Sequence, residues 1–103
     1  MADPDSNGGT SLSVTVRIPG PLRKITGERE VVTADGGGTL LEMINRLDQE
    51  YPGLKERICD ESGELRRFVN LYINGEDVRF LSGLETPVKA GDEVSIVPAV
   101  AGG

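Results

Sequence analysis

Phe68-Val69-Asn70-Leu71-Tyr72-Ile73-Asn74-Gly75-Glu76-Asp77-Val78-Arg79-Phe80 is the stretch on which the fold turns. Val69, Leu71 and Ile73 alternate with Asn70 and Tyr72, the period-two pattern of a strand with one buried face. Asn74-Gly75 follows at once, and both residues tolerate the positive φ of a tight hairpin turn. The chain is therefore predicted to reverse here and to run back as a short strand over about residues 77–79.

Upstream of this hairpin the signals are helical. Thr39 and Glu42 have the spacing of a capping box, in which each side chain satisfies an exposed amide of the first turn. Leu40, Met43, Ile44 and Leu47 then form one apolar stripe, and Pro52-Gly53 ends the helix. A short amphipathic piece, residues 54–58, and a polar loop through Ser62-Gly63 lead back to the hairpin. Gly36-Gly37-Gly38 precedes the helix, but no Lys-Ser/Thr pair follows, so it is read as a loop rather than a phosphate cradle. Further back, Leu12, Val14, Val16 and Ile18 alternate with polar residues until Pro19-Gly20-Pro21. After a loop of about eight residues a weaker strand is expected over 28–34, its register open because Val31 and Val32 are adjacent.

Downstream, residues 80–88 form an irregular crossing, Ala90-Gly91-Asp92 a turn, and residues 93–98 a last strand with Val94 and Ile96 in phase. The order strand, strand, helix, strand, strand, strand predicts an α+β domain, a mixed sheet of about five strands with one main helix packed on one face. Residues 1–10, polar and aperiodic, are expected to be a disordered extension, 11–98 the folded domain, and 99–103 a flexible tail.

Composition excludes much. With 103 residues the chain is one small domain, too small for a large enzyme cleft. It has no histidine and one cysteine, so neither a Ser-His-Asp triad, a histidine-bound metal site nor an internal disulfide can be built from it. No catalytic side chain and no metal ligand set is expected. Cys59 admits two readings, nucleophile or structural thiol; Asp60 and Glu61 beside it discourage a thiolate and favour the structural one. The net charge of −6 and the lack of a basic cluster larger than Arg66-Arg67 disfavour nucleic acid. The same charge predicts steering toward a basic surface on a partner protein. No apolar run could span a bilayer and the first residues lack a signal-peptide pattern, so a cytoplasmic protein with no membrane partner is expected.

What remains as chemistry is the tail. Pro98-Ala99-Val100-Ala101-Gly102-Gly103 carries no charged or bulky polar side chain, and glycine lets a backbone enter channels closed to other residues. The Gly103 carboxylate is the candidate functional group, with Ala99, Val100, Ala101 and Gly102 as the segment that enters a partner's active site.

The block Phe68 to Phe80, the turn Gly91-Asp92-Glu93-Val94 and the ending Ile96 to Gly103 resemble those of the ubiquitin-like β-grasp sulfur carriers, the MoaD/ThiS family. The likeness covers about residues 11–103 and is greatest to its actinobacterial cysteine-biosynthesis branch. The resemblance implies a carrier that is not itself an enzyme and binds no cofactor. A ubiquitin-activating-like enzyme would use ATP and magnesium to adenylate Gly103, and sulfur would displace AMP to leave a thiocarboxylate. The partners it implies are that adenylating enzyme, a PLP-dependent cysteine synthase and a metallopeptidase that releases cysteine. Alternatives are the molybdopterin-synthase small subunit, the thiamine sulfur carrier, and a protein modifier forming isopeptide conjugates. The β-grasp arrangement places the first, last and third strands side by side, so Arg17, Tyr72 and Val97 are expected to share the solvent side of the sheet as a docking patch.

Overall fold

The computed structural model describes residues 13–98; the readings of an N-terminal extension and of the 99–103 tail lie outside the described residues. Five strands, β1 (Ser13–Arg17), β2 (Val31–Asp35), β3 (Val69–Ile73), β4 (Glu76–Asp77) and β5 (Glu93–Pro98), form one mixed sheet in the order β2-β1-β5-β3-β4. β1 runs parallel to β5, and the other pairings are antiparallel. Helix α1 (Leu40–Glu50) and the single-turn α2 (Leu54–Ile58) cover one face.

The helix forms where its caps put it. The Thr39 hydroxyl accepts from the Glu42 amide at 3.3 Å, and the Glu42 carboxylate accepts from the Thr39 amide at 2.9 Å. Leu40, Met43, Ile44 and Leu47 are buried against Val14, Val16, Leu71, Ile73, Val94 and Ile96. This is the ubiquitin-like β-grasp arrangement, and it answers the two-layer problem posed by one apolar stripe and one apolar sheet face.

Two strands are shorter than their sequence suggests. β2 begins at Val31, not at residue 28, because Gly27 and Glu28 both take positive φ (67° and 66°) and the Glu28 amide turns back to the Arg23 carbonyl at 2.6 Å. The register is settled by burial: Val32 points into the core and Val31 into solvent. The return strand after Asn74-Gly75 is only Glu76–Asp77. Asp77 accepts from the Arg79 amide at 2.8 Å and starts a 3-10 turn over Val78–Phe80, which drops Val78 into the core and takes the chain off the sheet. The turn itself is as expected, with φ of 51° at Asn74 and 88° at Gly75.

Candidate functional site

Strand pairing decides what surrounds the root of the tail. Because β3 runs against β5, the carboxyl end of β5 lies beside the start of β3, while β1, parallel to β5, ends level with Ser95 and Tyr72. Pro98, the last described residue of β5, is opposite Val69. The Asn74 amide donates to the Glu93 carbonyl at 2.8 Å, which makes Tyr72–Ser95 and Asn70–Val97 the pairs that exchange both ladder bonds.

The expected docking residues fall on the face opposite α1. Arg17 and Tyr72 both lie opposite Ser95, one on each side, so the three form a row across β1, β5 and β3. Val97 stands one pleat nearer the tail, opposite Asn70, and is 42% exposed, while its neighbour Ile96 is buried. The guanidinium of Arg17 is paired with Glu93 on the same face, so its charge is balanced locally. Arg17, Tyr72 and Val97 thus share one surface, the Arg17–Tyr72 row level with Ser95 and Val97 next to Pro98. Gly103 and the rest of that segment lie outside the described residues.

Sequence reasoning did not mark Phe68 and Phe80 as site residues. Both are exposed; Phe68 precedes Val69, which lies opposite Pro98, and Phe80 ends the 3-10 turn after β4, on the other side of β3. Phe68 carried a readable signal, since it falls in the outward phase with Asn70 and Tyr72. Phe80 carried none, because the chain has left the strand before it.

Cys59 is buried at the end of α2. It borders an open depression of about 490 Å³ that it shares with Lys55, Glu56, Asp60, Glu61, Gly63 and Arg66. Burial pushes its thiol pKa up, with Asp60 adding to the rise and Lys55 and Arg66 opposing it. Desolvation, more than the neighbouring carboxylates, therefore keeps it a thiol. Alkylation by iodoacetamide near neutral pH is expected to be much slower than in the unfolded chain, and equal rates would show a reactive site. Among the described residues no group of three metal-ligating side chains is assembled, and no helix is long and apolar enough to cross a membrane.

The ThiS family model matches residues 16–103, from β1 through the end of the tail. The chain belongs to the ThiS family. It is 51% identical over 94 residues to the sulfur carrier protein CysO of Mycobacterium tuberculosis, covering 89% of this chain and all of the relative. It is 33% identical over 93 residues to small archaeal modifier protein 3 of Haloferax volcanii, with 89% of this chain and the whole relative covered. In structure it is similar to the Amycolatopsis orientalis BexX/CysO complex, where the match has a TM-score of 0.81 and 50% identity over 87% of this chain and 99% of the other.

Proposed function

We propose that this protein is a sulfur carrier whose Gly103 carboxylate is adenylated and then converted to a thiocarboxylate that supplies sulfur for cysteine biosynthesis. The observation that carries this reading is the half-identical match to a sulfur carrier along that relative's entire length. The chemistry suits a small domain without catalytic side chains. A carboxylate oxygen of Gly103 attacks the α-phosphorus of ATP on an adenylating enzyme and pyrophosphate leaves. Sulfide or an enzyme persulfide then attacks the acyl carbon, the carbon–oxygen bond to AMP breaks, and sulfur remains on the carrier; with a persulfide donor, a reducing thiol cleaves the sulfur–sulfur bond. Activation exchanges a poor leaving group for a good one, and the ordered sheet only has to present the tail.

The PLP-dependent cysteine synthase is the proposed acceptor. There the new carbon–sulfur bond is followed by an S-to-N acyl shift, and a metallopeptidase hydrolyses the resulting amide to free cysteine and restore Gly103. Intact mass of the protein from its native host tests the first half: one sulfur in place of one oxygen is expected. Incubating the purified thiocarboxylate with the cysteine synthase and with molybdopterin and thiamine acceptors tests the second. A carrier extended by cysteine supports the reading, and conversion only by the other acceptors overturns the cysteine branch. The similarity to an archaeal modifier favours a second reading, isopeptide conjugation through Gly103. A ladder of conjugates in host cells, in place of free and thiolated carrier, would establish it.

A further inference from the structure

Asn74-Gly75 carries chemistry as well as a turn. In the sequence only Asn7 and Asn74 precede a glycine, and Asn7 lies outside the described residues. Gly75 has no Cβ, so its backbone nitrogen is open to the side chain before it. That nitrogen can lose its proton to a base in the solvent and bond to the Asn74 Cγ. The bond from Cγ to Nδ2 then breaks, and Nδ2 takes up a proton and leaves as ammonia. Water opens the resulting five-membered imide at one of its two carbonyls. One opening gives aspartate; the other gives isoaspartate, whose backbone runs through the former side chain and is one atom longer.

Burial does not guard this site, because Asn74, Gly75 and Glu76 are all exposed. What holds the amide is a clasp to the start of β5. Its Nδ2 donates to Asp92 Oδ1 at 3.0 Å, and its Oδ1 accepts from the Glu93 amide at 2.9 Å. A carboxylate facing one end and an N–H facing the other fix which end is nitrogen. The Asn74 backbone amide donates to the Glu93 carbonyl at 2.8 Å on the same side. β5 and β4 lie on opposite sides of β3, so the chain turns away from the clasp as it enters Gly75. Ring closure has to swing Cγ from Asp92 and Glu93 toward the Gly75 nitrogen, and both side-chain bonds break first.

We propose that Asn74 is a site of spontaneous deamidation, kept intact in the folded chain by the Asp92 carboxylate and the Glu93 amide, and that its conversion permanently unlatches the β3–β4 hairpin from β5. The aspartate product sets a carboxylate where Nδ2 stood, facing Asp92 with the donor gone, and like charges so placed repel. Asp92 also caps its own turn by accepting from the Lys89 amide at 2.8 Å, so the disturbance reaches the entry to β5. Isoaspartate lengthens a two-residue turn whose return strand is only Glu76–Asp77, and shifts Glu76 out of register with Ile73. Neither product touches the other end of β5, and the proposal does not rest on the carrier reading.

The test is to incubate the full chain in mildly alkaline buffer, native and in denaturing urea, and to follow the peptide containing Asn74 by mass, with isoaspartate resolved by chromatography. Conversion is expected to be at least about tenfold slower in the native chain, since two hydrogen bonds, one of them to a charged group, must open first. Asp92→Ala, checked for folding by thermal unfolding, should convert several times faster than the native chain. Equal rates in buffer and in urea overturn the proposal, and that comparison needs no variant to fold. A folded Asp92→Ala chain that converts at the native rate overturns it as well. Asn74→Asp makes the product directly and should lower the unfolding temperature by about 5 °C, and by less in added salt, which screens the repulsion. An Asn74→Asp chain that melts with the native one would show that conversion unlatches nothing.

Discussion

Deleting Gly103, or adding one residue after it, is expected to abolish adenylation while the domain melts at its usual temperature. Either change leaves a terminal carboxylate of ordinary chemistry but moves it along the chain by about 3.5 Å. A reacting atom displaced even 1 Å from its attack position can lose on the order of a hundredfold in rate, so a shift of a whole residue removes the reaction. The fold should be indifferent, because β5 ends at Pro98 and its ladder to β3 is complete there. ATP–pyrophosphate exchange with the truncated and extended chains, assayed beside the native one, reads the effect. Exchange retained by the truncated chain would remove Gly103 from the mechanism.

Ile96→Asp is expected to unfold the protein, whereas Val97→Asp leaves it folded. The two positions are adjacent and the substitution nearly the same, so the contrast isolates strand phase. Ile96 is 4% exposed and lies opposite Leu71, beneath α1. A carboxylate placed there has no partner, and its burial costs several kcal/mol by any route, charged or protonated, out of a total stability of roughly 5–15 kcal/mol. Val97 points to the open face, where an aspartate stays hydrated and loses only β propensity and some packing, under about 1 kcal/mol. Its cost should fall on docking, where a partner's apolar surface would have to cover the charge. Urea unfolding separates the two, and binding to the adenylating enzyme reads the second effect. Collapse of Val97→Asp would mean that the open face is structural, and unimpaired binding by that variant would remove Val97 from the docking patch.

Much of the architecture was legible because short-range signals agreed with the global solution. The capping box at Thr39 and Glu42, the stripe Leu40, Met43, Ile44 and Leu47, and Asn74-Gly75 all act within one turn of the chain. Alternation in Val69, Leu71 and Ile73 and in Val94 and Ile96 fixed which residues face inward, and hence that Val97 faces out. Where local signals conflicted, reading stopped. Val31 and Val32 offered two registers, and only packing against the core chose Val32. The return strand was overlong because an Asp77 cap and the burial of Val78 ended it, effects that depend on a neighbour already in place.

By itself, then, the sequence determined a two-layer α+β domain without histidine chemistry, with its inward and outward strand residues sorted. Tertiary structure alone decided which charges stand together at the start of β3. A net charge of −6 suggests an acidic carrier seeking a basic partner, yet the fold brings Arg79, from the turn after β4, onto the Arg66 and Val69 carbonyls, and sets Arg66 and Arg67 beside Asp60 and Arg79 beside Glu64 and Glu85. Net charge is a sum over residues and carries no positions. An approaching partner meets the local field within about 10 Å of the contact, and that field is set by strand order and by one guanidinium, through contacts between residues far apart in the chain.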